Sequence, residues 1–145
     1  MEQKKKKSLI TTAITVAAMV VLANLGPRLF NSKRELVLSN DNTIAERAEI
    51  MNKDCPFTID SNTRLDSVSS PENNVLRQNY TLLKDSKAEI DTQAFGNIFK
   101  PELKKNLQKA NQTEFFKKYN TKLVYRFYDK DRNFITDIIL NSNEY

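Results

Sequence analysis

The 145-residue chain has no histidine and no tryptophan, and it has only one cysteine and two glycines. The missing histidine removes the commonest general base and metal ligand, and with it any Ser-His or Cys-His dyad. The single thiol, Cys55, has no partner for an intramolecular disulfide, and alone it does not make a zinc site. With Gly26 and Gly96 as the only glycines, no phosphate-cradling loop is present, which excludes P-loop and dinucleotide signatures. The carboxylates are scattered. Asp129, Asp131 and Asn133 match the D-x-D-x-N opening of a calcium loop, but the match stops there. Phe134 stands where that loop needs its glycine, and Leu140 where it needs a bidentate glutamate. No catalytic, cofactor-binding or metal-ligating residue is assigned.

Positive charge is in excess, at +5, but its location argues against nucleic acid. Seven of the 23 basic and one of the 18 acidic side chains lie in residues 1–34, which leaves 16 against 17 for residues 35–145, a net of −1. A phosphate-binding surface needs its excess of cations on the folded part, because affinity comes from counterion release.

The basic residues instead flank an apolar run. Leu9 to Leu25 is uncharged, and Lys4 to Lys7 precede it. As a helix the run is about 26 Å long, slightly short of a ~30 Å hydrocarbon core, and the lysines can snorkel to the headgroups. The expected organisation is a cytoplasmic basic region over 1–7, a membrane signal-anchor over 8–26, a juxtamembrane tether over 27–40 and an extracytoplasmic domain over 41–145. The alternative is a leader cleaved near Ala23, after Val21-Leu22-Ala23. Arg28, Lys33 and Arg34 just downstream resist translocation and favour retention of the anchor.

Within the domain, DNTIAERAEIMNK (41–53) has a capping residue at Asn42 or Thr43, Glu46 in the first turn, and Ile44, Ala48 and Met51 at helical spacing. Residues 63–84 read as two strands around the turn Pro71-Glu72-Asn73-Asn74, with Leu76, Tyr80 and Leu82 on one side and Gln78 interrupting them. Asp91-Thr92 opens a helical region with apolar stripes Phe95, Ile98, Phe99 and Leu103, Leu107, Ala110; Pro101 between them either kinks one helix or starts another. A final turn carries Phe115, Phe116 and Tyr119. TKLVYRFYD then alternates Leu123, Tyr125, Phe127 against Val124, Arg126, Tyr128, and FITDIIL follows with Phe134, Ile138 and Leu140 on one side. The order predicts an α+β domain, an antiparallel sheet of about four strands with helices packed on one face. Twelve of the thirteen aromatics lie in 35–145, enough for one core.

The segments NKDCPFTIDSNTRLDSV, NYTLLKDSKAEIDTQAFGNIFKPELKKNL and LVYRFYDKDRNFITDIIL resemble a small family of exported or membrane-anchored proteins of Bacteroidota-type bacteria that has no known activity. The resemblance covers roughly residues 50–140 and departs from the family at Asp131-Arg132-Asn133, where a glycine-containing turn is typical, and at Arg77-Gln78, where the family strand is more aromatic. It implies an envelope-facing domain.

The function expected from these features is non-catalytic binding of another protein or an envelope component, at the membrane and without nucleic acid or cofactor. The exposed members of Tyr80, Arg126 and Tyr128 are the candidate contacts, and Cys55 is a candidate redox or crosslinking position. The alternatives are a structural subunit of a membrane complex and, from another class, a carboxylate-dependent hydrolase.

Overall fold

A computed structural model of the chain describes residues 43–110 and 112–145. The basic region, the apolar run and the tether all lie outside the described residues. Among the described residues, no helix is long and apolar enough to cross a membrane.

The domain opens with α1 (Ile44–Asn52), followed by β1 (Phe57–Thr58), β2 (Thr63–Ser69) and β3 (Val75–Leu82). A short 3-10 turn at Lys87–Glu89 leads into α2 (Thr92–Lys109), then α3 (Thr113–Lys118), β4 (Lys122–Tyr128) and β5 (Phe134–Leu140). Thr43 caps α1 in a reciprocal box: its Oγ1 accepts the Glu46 N–H, while the Thr43 N–H donates to Glu46 Oε2 at 2.7 Å. Asp91 does the same work at α2, with Oδ1 accepting from the N–H groups of Gln93 and Ala94 at 3.0 Å. Pro101 lies inside α2 without ending it. Both stripes therefore fall on one helix as far as Leu107; it buries Phe95, Phe99 and Leu103, and Ala110 lies just past its end as the exposed C-cap.

The five strands lie in the order β1-β2-β3-β4-β5. The expectation of an antiparallel sheet of about four strands is corrected in two ways. The two-residue β1 adds an edge, and β3 pairs with β4 in parallel, with Leu76 opposite Leu123 and Tyr80 opposite Phe127. The cause of the second is the connection. Antiparallel neighbours can be joined by a tight turn, whereas parallel ones need a crossover of a dozen or more residues, and α2 and α3 supply it.

One core lies between the helices and one face of this sheet. Leu65, Leu76, Tyr80, Leu82, Leu123, Tyr125, Phe127, Ile138 and Leu140 meet Ile44, Ala48, Phe95, Phe99 and Phe115 there. Phe127 is at its centre: its ring centroid is 5.2 Å from Tyr80, 4.9 Å from Phe95 and 5.5 Å from Phe99. The Tyr80 hydroxyl, buried with its ring, donates to Gln78 Oε1 at 2.7 Å, which accounts for a polar residue interrupting the apolar side of β3. Arg47 is also buried, its guanidinium carbon 3.4 Å from the centroid of Phe115.

The β5 alternation differs from expectation. A register shift between Phe127 and Tyr128 pairs Phe127 with Thr136 but Tyr128 with Phe134. Ile135 is thereby buried and Phe134 emerges on the other side of the sheet from Ile138 and Leu140.

Candidate functional site

The three helices cover one face of the sheet, so the alternate residues of β2 to β5 form a face that none of them covers, although Thr81 and Val124 on it are buried among their neighbours. The pairings arrange this face in three rows across the strands. One runs Ser69, Arg77, Val124, Ile139; the next Ser67, Asn79, Arg126, Asp137; the third Arg64, Thr81, Tyr128, Phe134. A bulge between Leu65 and Ser67 turns Asp66 onto the same face beside Ser67.

The second and third rows are internally satisfied. Arg126 holds Asp137 in a two-pronged bond, Nε to Oδ1 at 2.8 Å and Nη2 to Oδ2 at 2.7 Å. Bonding to Asp137 is the main reason that its guanidinium titrates well above the ordinary arginine range. Its Cζ also lies 5.5 Å from the centroid of Phe134, which meets Tyr128 edge-on at 6.2 Å. Asp66 accepts from Arg64 Nε and from the Thr81 hydroxyl, and Asn79 Nδ2 donates to Ser67 Oγ at 2.9 Å.

The first row is different. Arg77 is half-buried, and its Nε, shielded from solvent, has no hydrogen-bond partner among the described residues. At the end of that row Ile139 is 41% exposed; with Phe134, 44% exposed, it is one of the two large apolar side chains on the surface of the described residues. The alternation of β4 puts exposed Lys122 on the same face, next to Val124.

Of the residues singled out from sequence, the structure brings Arg126 and Tyr128 together on this face and removes Tyr80 from it. Tyr80 points into the core at 2% exposure, and burial drives its phenol well above the ordinary range. A partner cannot reach it. Cys55 is a half-buried free thiol whose Sγ lies 3.8 Å from the Met51 carbonyl oxygen. Burial, with the Asp66 charge adding to it, raises its pKa and so disfavours the reactive thiolate. Sequence reasoning missed Arg77, Phe134 and Ile139 as surface candidates. Their signal was the alternation itself, but which strands lie side by side depends on the parallel pairing.

The Asp129 loop is built differently from an ion site. Its carboxylate is fully buried and accepts from the N–H groups of Lys87, Asp131 and Asn133 at 2.8–2.9 Å, and from Asn133 Nδ2 at 3.0 Å. Burial alone would raise its pKa; the bonds outweigh it, the one from Lys87 foremost, and hold it at about 2. Among the described residues, no three His, Cys, Asp or Glu side chains are grouped to hold a metal ion.

Fold and face together define the class: an α+β domain with a mixed five-stranded sheet, helices on one side and a polar, partly apolar face on the other. Residues 39–135 match the domain of unknown function DUF8479, and the chain belongs to that family. No curated protein matches it. Among solved structures it is similar to a candidate secreted protein from Pseudomonas aeruginosa at 11% identity, with a TM-score of 0.57 over 70% of this chain and 91% of that one. It is also similar to a pilotin from the Vibrio vulnificus type 2 secretion system at 12% identity, with a TM-score of 0.49 over 70% and 86%. At such identities the likeness to the first is one of fold.

Proposed function

We propose that this chain is an exported, membrane-held accessory domain that docks another envelope macromolecule on the face of its sheet that none of the described helices covers, without catalysis. The observation that carries this reading is the one-sided cover. Three helices pack on the same face of the sheet, and the opposite face displays Phe134 and Ile139 beside Arg126 and Tyr128. The export half of the reading rests on the apolar run with its lysines, and it agrees with a fold that a candidate secreted protein also carries. A non-catalytic role is supported by how the carboxylates are spent. Asp129 braces a loop, while Asp66 and Asp137 hold arginines.

Photo-crosslinking in producing cells tests the reading. A crosslinker at Phe134 or Ile139 is expected to trap a discrete partner, while one at exposed Lys105 on α2 traps none. Equal trapping from both positions would overturn the assignment of the face. Intact mass of the same product reports whether residues 1–23 are retained.

A further inference from the structure

Resting on the docking reading above, we infer that the row Ser69, Arg77, Val124, Ile139 grips a helix of a partner protein, with a carboxylate at Arg77 and an aliphatic side chain at Ile139. The first reason is satisfaction. The other two rows complete their own hydrogen bonds and ion pairs, but Arg77 Nε is shielded from water with no partner among the described residues. The shielded Nε is itself out of a partner's reach, but the rest of this half-buried guanidinium has no carboxylate beside it among the described residues, and a carboxylate is the best-matched acceptor for its planar fork.

The second reason is charge. The face carries Arg64, Arg77, Lys122 and Arg126 against Asp66 and Asp137, whereas residues 35–145 sum to −1. The local excess lies in the first row and beside it, because Arg64 and Arg126 are already paired. That excess disfavours a second copy meeting this face with its own, since cation would oppose cation. An anionic bilayer is disfavoured on a separate ground, because residues 35–145 as a whole have no positive surplus and Arg77 is half-buried instead of projecting.

The third reason is spacing. Arg77 and Ile139 stand two strands apart, about 9.6 Å at ordinary strand separation. Residues i and i+7 of an α-helix are about 10.5 Å apart on one side. Extended chain offers about 7 or 14 Å between residues on the same side and fits less well.

The probe is an alanine-rich, monomeric helical peptide with Glu at one position and Leu seven residues on. It is titrated into the full-length, 15N-labelled chain in phosphatidylcholine nanodiscs, with amide and Arg77 Nε–H resonances observed. Shifts are expected at Arg77, Val124 and Ile139. Affinity is expected to fall roughly ten-fold on Glu→Gln in the peptide or Arg77→Gln in the protein, with no further loss when both are combined. The peptide change leaves the protein untouched, so the test survives even if Arg77→Gln folds poorly. Shifts on the face that are indifferent to Glu→Gln, or equal with Leu at i+5, would overturn the carboxylate and spacing assignment while leaving the docking face intact. Shifts confined to the helical side would overturn both. Arg77-dependent binding to phosphatidylglycerol vesicles with no response to the peptide would reassign the row to lipid headgroups.

Discussion

Asp129 shows how a residue that looks like part of an ion site serves the fold instead. Its four N–H donors hold the β4–β5 turn and tie it to Lys87, forty-two positions earlier in the chain. Its folded pKa of about 2 lies below the usual 3.8, so its contribution to stability is complete above the unfolded value and drains away as pH falls through 3.8 toward 2. Urea unfolding should therefore separate the parent from Asp129→Asn clearly at pH 6, and the difference should shrink at pH 2.5. Three positions away Arg132 adopts φ 66, the left-handed region where a β-carbon is strained. Arg132→Gly is expected to raise stability by about 1 kcal/mol in the same assay. The family resemblance expected a glycine-containing turn there, so the departure was legible in sequence, and the structure supplies its conformational meaning.

At the scale of elements, capping and periodicity were the legible signals, because both are local. Thr43 and Asp91 cap the helices that their positions announced, and Thr43→Ala is expected to lower stability by about 1 kcal/mol in thermal unfolding. The β4 alternation was legible too, with Leu123, Tyr125 and Phe127 all buried. The end of β5 was not. A one-residue slip sent Phe134 outward and Ile135 inward, and nothing in FITDIIL distinguishes that from regular alternation. The carboxyl-terminal segment is another non-local element. The Tyr145 hydroxyl, buried, donates to the Thr121 carbonyl at 2.7 Å, and Glu144 meets Lys100 at 2.8 Å. Deleting Glu144 and Tyr145 should lower the melting temperature by several degrees, because it removes a buried aromatic as well as a hydrogen bond.

Across the described domain, the packed core lies on one face of the sheet and the proposed docking surface on the other. Phe127, with no exposed surface, joins three aromatics from β3 and α2, and Phe127→Ala is expected to lose roughly 3–5 kcal/mol in urea unfolding. Substitutions on the other face at Ile139 or Tyr128 should leave unfolding nearly unchanged while altering partner capture, which separates the two roles. By itself the sequence marked the helical stretches at Thr43 and Asp91, most of the strand segments, the near-neutral charge of residues 35–145 and the apolar run flanked by lysines, because each follows from spacing and charge within a short stretch. Only the tertiary structure decided that β3 and β4 run in parallel, that Tyr80 is sealed inside, and that Arg77 lies in one row with Ile139. Those features depend on which distant strands meet and in what register, and residues far apart in the chain set both.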